Sequence, residues 1–107
     1  MRHQHFRRVY IDLIDCALQT GDLDTARALH AAALPLYPAD ERSGEHAELL
    51  AAGSAVAAAD GDSARAQDLL RRAIGMVEGD PAHAANVQAW RERLAAPAAA
   101  DDARGRR

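Results

Sequence analysis

The chain has 107 residues, of which 49% are hydrophobic but only 4% aromatic, enough for one modest core and too few for two domains. A net charge of −3 argues against a general nucleic-acid binder, and the single cysteine, Cys16, excludes an internal disulfide and fits a reducing compartment. No run of about twenty apolar residues occurs and the first ten residues are polar and basic, so neither a membrane span nor a signal peptide is expected, and the protein is expected to be cytoplasmic.

Roughly a quarter of the residues are alanine, far above ordinary usage. Alanine favours helix and lets helices approach closely, but it buries little area. The composition predicts an all-α protein of limited stability. Lysine is absent, and the arginines gather at the ends as Arg2, Arg7 and Arg8, then Arg104, Arg106 and Arg107.

The first predicted helix carries Phe6, Val9, Tyr10, Leu13, Ile14, Ala17 and Leu18 at three-four spacing. Its main stripe is expected to be Val9, Leu13 and Ala17. It stops at Gly21, and Asp22 stands where an N-cap belongs. The second helix repeats the spacing with Leu23, Ala26, Leu29, His30, Ala33 and Leu34, and Pro35 and Pro38 bracket its end. A polar connection over Asp40 to Gly44 follows, beneath which Tyr37 is placed to pack.

The third helix, from about Glu45 to Ala59, is almost wholly small residues beyond Leu50, so neighbours can approach it from several sides. Asp60-Gly61-Asp62 leads to a fourth helix with Ala66, Leu69, Leu70, Ala73, Ile74 and Val77, which Gly79 ends. Asp80-Pro81 starts the fifth, with Val87, Trp90 and Leu94 as its stripe. Trp90 reads as the anchor of a capping helix. From Ala96 onward no large apolar residue occurs, and residues 96–107 are expected to be a disordered tail.

One phrase occurs twice, forty positions apart. Gly21-Asp22-Leu23-Asp24-Thr25-Ala26, followed by Leu29, Ala33 and Leu34, matches Gly61-Asp62-Ser63-Ala64-Arg65-Ala66, followed by Leu69, Ala73 and Ile74. Such a period marks stacked supersecondary units. On these residues the chain resembles the tetratricopeptide repeat (TPR) family, whose unit is a helix pair of about 34 residues. Tyr10, Leu13, Ala26, Ala33 and Pro38 fit the first unit; Leu50, Ser54, Ala66, Leu70 and Ala73 fit the second. Ile14 stands where a small residue is usual, His30 where an aromatic is, Gly53 where a large residue is, and Glu78 where a proline is. The resemblance implies a single domain over 1–95: an antiparallel helix-hairpin array with repeats at about 6–38 and 45–79 and a capping helix at 81–95, some five helices in all. The long period reads as an insertion at Asp40 to Gly44.

In that family the first helices of successive repeats line a groove. Carried onto this chain, the resemblance implies a partner-binding surface of Arg8, Ile11, Asp15, Leu18 and Gln19 from the first helix and Glu48, Ala51, Ala55, Ala58 and Ala59 from the third. The alternative for Ile11 and Leu18 is packing on the fifth helix or on a second copy. The basic and Asn residues with which the family clamps carboxylate-ended peptides are mostly absent from these positions.

Nothing in the chain makes a catalytic or metal signature. His3, His5, His30, His46 and His83 are scattered, with no HExxH and no paired cysteines. Cys16 has the acidic neighbours Asp12 and Asp15, an unsuitable setting for a thiolate nucleophile. The pairs Asp22/Asp24 and Asp60/Asp62 lie at expected helix starts, where carboxylates cap free N–H groups. No enzyme, metal or cofactor is expected. The reading is a protein–protein interaction module, an adaptor or chaperone holding an apolar or amphipathic segment of another protein, similar in size and style to the small TPR-like chaperones of bacterial type III secretion. A homodimer could take the place of a client. The sequence also allows a nucleic-acid-associated regulator using the Arg-rich ends, or a self-assembling structural module.

Overall fold

A computed structural model of the chain describes the backbone of residues 2–95 and the side chains of residues 7–95. The tail expected at 96–107 and the side chain of Phe6 lie outside these. All regular structure among the described residues is helical: α1 (Arg2–Gln19), α2 (Leu23–Ala33), α3 (Gly44–Ala59), α4 (Ser63–Val77) and α5 (Ala84–Ala95), with 3₁₀ turns at Leu34–Leu36 and Pro81–His83. No described helix is long and apolar enough to cross a membrane.

The doubled phrase folds into the same turn twice. Gly21 and Gly61 take φ of 78° and 86°, a region closed to most L-residues, and each follows the end of a helix. In the first copy Gly21 N–H donates to Leu18 C=O and Asp22 N–H to Ala17 C=O; in the second Gly61 N–H donates to Ala58 C=O and Asp62 N–H to Ala57 C=O. This is the Schellman pattern, which satisfies carbonyls a helix end leaves open. The aspartate then caps the next helix, Asp22 accepting from Thr25 N–H and Asp62 from Arg65 N–H. Asp60 differs from the expectation of a helix start: it closes α3, and its carboxylate takes Arg27 at 2.6 Å. Gly61 stands between it and α4, so its side chain is too early in the chain to cap.

α3 is the shared wall of the core. Leu49, Ala52 and Val56 pack with Ile11, Ile14, Ala17, Ala26, Ala33 and Tyr37 of the first helix pair. Ala47, Leu50 and Ala51 pack with Leu69, Leu70, Ala73, Ile74 and Val77 of α4 and with Val87 and Trp90 of α5. Because its side chains are small, helices close on it from several directions. The buried Ser54 hydroxyl donates to Ala66 C=O of α4 at 2.7 Å, so its polar group is met where these two backbones approach.

Two departures from the repeat pattern turn out to be one contact. His30 is buried, and its ring lies so close to Gly53 that a Cβ there would sit 2.4 Å from Nε2. A large residue on α2 fills the space that a missing side chain on α3 leaves. The His30 pKa is held below its usual value by burial, with Arg65 adding repulsion.

The face of α1 that meets the core differs from the expected stripe. Ile11 and Ile14 are buried with Ala17, whereas Val9 and Leu13 are exposed. Apolar residues occur nearly all round this helix, so spacing alone does not choose a face. The turn to α2 and the approach of α3 choose it. The connection before α3 is held by charge. Arg7 grips Glu41 with both terminal nitrogens, at 2.8 and 3.1 Å, donates to Leu36 C=O, and lies over the Tyr37 ring at 4.2 Å. Tyr37, buried as expected beneath this segment, donates to Glu45, and Ser43 donates to Glu41 while capping α3 through His46 N–H. The Arg7 hydrogen bonds hold the Glu41 carboxyl below its usual pKa.

The turn geometry predicts opposite outcomes for two glycines. Gly61→Ala should lower stability by about 1–2 kcal/mol, because φ there is left-handed. Gly75→Ala, inside α4 with open space around it, should raise stability by about 1 kcal/mol. Thermal melts followed by circular dichroism would check both. Gly53→Ala should cost about 1–3 kcal/mol through the clash with His30. The double variant with His30→Ala should lose less than the sum of the single losses, as measured by urea unfolding.

Candidate interaction groove

Three alternate helices converge on one open-sided recess of about 220 Å³, lined by Ile11 and Asp15 of α1, Glu48, Ala51, Ala52 and Ala55 of α3, and Asn86, Trp90 and Arg93 of α5. Each helix contributes residues one turn apart, so a single face of each points inward. Ile11, Ala51, Ala52 and Trp90 are nearly buried, at 3%, 6%, 6% and 7% exposure, and make an apolar floor. Ala55 is half-buried at its edge. The floor is shallow because α3 offers only methyl groups there.

The rim is polar and of mixed sign. Arg8 Nη2 donates to Glu48 Oε1 at 2.8 Å, tying α1 to α3 along one side. Asp15 and Arg93 face each other electrostatically across the recess without forming an ion pair. Partial loss of water raises the Asp15 carboxyl above its usual pKa, and Asp12 and Glu48 add like charge, against the attraction of Arg8 and Arg93. Burial in turn lowers the Arg93 guanidinium, and Asp15 opposes that shift. The exposed Asp15 and the half-buried Arg93 are thus opposite charges left unjoined. A bound group placed between them could accept from one and donate to the other.

Of the ten residues expected at a binding surface, the recess brings together Ile11, Asp15, Glu48, Ala51 and Ala55, with Arg8 joined through Glu48. Leu18 instead packs against the first core cluster, and Gln19, Ala58 and Ala59 lie toward the helix ends, outside the lining. Asn86, Trp90 and Arg93 of the lining are not among the expected ten. Their spacing of four and three along α5 is the available signal, but the sequence places Trp90 in the core alone. It serves both, packing with Leu50 and Val87 while showing an edge to the recess.

Two more hollows are bordered by ion pairs. One of about 250 Å³ lies between α2, α3 and α4 beside His30, where Arg27 bridges to Asp60. Another of about 330 Å³ surrounds the turn into α5, where Arg91 pairs with Glu78. Among the described residues no three His, Cys, Asp or Glu side chains are grouped to hold a metal ion. Cys16 is exposed on α1, away from the recess lining.

No protein-family model, curated protein or solved structure matches this chain.

The electrostatics of the recess predict a measurable coupling. Replacing Arg93 by Gln removes an attraction that favours the Asp15 carboxylate, so the Asp15 pKa should rise further above its usual range. A carboxyl carbon NMR titration of the two proteins would show the shift.

Proposed function

We propose that the chain is a TPR-like protein-interaction module, an adaptor or chaperone that holds an apolar or amphipathic segment of another protein in the recess between α1, α3 and α5. The observation that carries this reading is the recess itself: a shallow floor of small and aromatic residues bounded by the unjoined pair Asp15 and Arg93. An apolar side chain seated on Ala51, Ala52 and Trp90 would lose water where it meets that floor, while the segment's polar groups meet a rim carrying both donors and acceptors. The mixed sign disfavours a strongly acidic or basic tail.

The repeat reading is supported by two independent features. The same set of hydrogen bonds builds the turns at Gly21-Asp22 and Gly61-Asp62. The recess is lined by every second helix in chain order, as an array of helix hairpins would arrange it. The exposed, unbridged Cys16 accords with work in the cytoplasm.

Ala55 supplies the test. Ala55→Arg puts a long charged side chain at the edge of the recess and should weaken partner capture from host extract at least about tenfold, with helicity and melting unchanged. Ala64→Arg, on an exposed part of α4, should capture the partner normally. Equal capture by both variants would place binding elsewhere.

A further inference from the structure

A second surface is unaccounted for by the recess. Val9 and Leu13, one turn apart on α1, are 48% and 45% exposed, and the exposed Cys16 continues their row. The internal repeat gives this row a meaning. One period later the same positions are Leu49, Gly53 and Val56, the residues that seat α3 on the first helix pair: Leu49 and Val56 pack with Ile14 and Ala33, and Gly53 receives His30. The α1 row occupies the position of a helix-packing face, yet among the described residues nothing is packed on it.

We propose that this face binds the same face of a second copy, with the two α1 helices antiparallel about a two-fold axis level with Ile11. In that arrangement Val9 of each copy meets Leu13 of the other. The charges beside the row select both the occupant and its direction. Arg8 and Asp12 are exposed and share one flank by helical register, Arg8 remaining about half exposed while it holds Glu48. An antiparallel two-fold pair brings this flank of one copy beside the same flank of the other and sets each Arg8 level with Asp12 of the second copy, whereas a parallel two-fold pair turns it toward the opposite flank, where Tyr10 and Ala17 offer no charge to match. Stacking on the far end of another molecule would not close, and would give open-ended assembly rather than a dimer. One helix from each copy makes a small interface, so the association is concentration-dependent. It leaves the floor of the recess, Ala51 and Trp90, uncovered.

Sedimentation equilibrium on the full chain over a wide concentration range tests the proposal. The wild type should form a dimer, Leu13→Glu should be monomeric with unchanged circular dichroism, and Asp12→Arg should weaken the dimer on the order of tenfold. In a Cys16→Ser background, oxidising an equal mixture of Val9→Cys and Leu13→Cys chains should give the mixed disulfide. A wild type that stays monomeric throughout, a dimer indifferent to Leu13→Glu or Asp12→Arg, or preferential linkage of Leu13→Cys to itself would overturn it. These readouts are independent of partner capture, so failure here leaves the recess reading standing, and the reverse.

Discussion

The structure depends on α3 being thin. A helix whose buried positions are mostly Ala, Gly and Ser presents almost no side-chain ridges, and the other helices close on its backbone. Leu49, Ala52 and Val56 face one core cluster; Ala47, Leu50 and Ala51 face the other. The small residues that weaken α3 as a source of buried area are what allow it to serve two cores at once. Where close approach would strand a polar group or a ring, a local device appears. Ser54 donates to Ala66 C=O, and Gly53 makes room for His30.

That thinness also makes the recess. With only methyl groups on the inward face of α3, the neighbouring helices cannot fill the space over Ala51 and Ala55, and α1 and α5 stand apart on either side. Their polar groups then face each other across a gap, Asp15 from α1 and Arg93 from α5, without an ion pair. Close packing at the centre and unjoined charge at the edge have the same origin. The link from packing to proposed binding runs through that gap.

Charge does different work in different parts of the molecule. Around Tyr37 the bidentate Arg7–Glu41 pair and the Tyr37–Glu45 hydrogen bond form a closed network, in which nearly every donor is met, and it fixes the connection into α3. Arg7 Nε still lies only 3.4 Å from Glu45. The Arg8–Glu48 pair is more exposed and contributes little to stability, but it aligns α1 with α3 beside the recess. On α1 the exposed Arg8 and Asp12 give the helix a direction, which the proposed pairing with a second copy uses.

Local chemistry made much of the fold legible in the sequence. Glycine with positive φ followed by a capping aspartate ends one helix and starts the next whatever the surroundings, so the helices and both Gly-Asp turns follow from residues adjacent in the chain. Ile11, Asp15, Glu48, Ala51 and Ala55 were legible at the recess only through a family resemblance, because the repeat fixes which helices share a face. Tertiary structure alone decided the rest. Which side of α1 is buried depends on where α2 and α3 stand, since Val9, Ile11, Leu13 and Ile14 offer apolar groups in nearly every direction. His30 and Gly53 are each anomalies until the helices carrying them touch. Asn86 and Arg93 gain their place only when α5 closes the third side. Short-range hydrogen bonding and steric limits act within a few residues and can be read along the chain; the choice among equivalent apolar faces is made by helices distant in sequence, and only their packing reveals it.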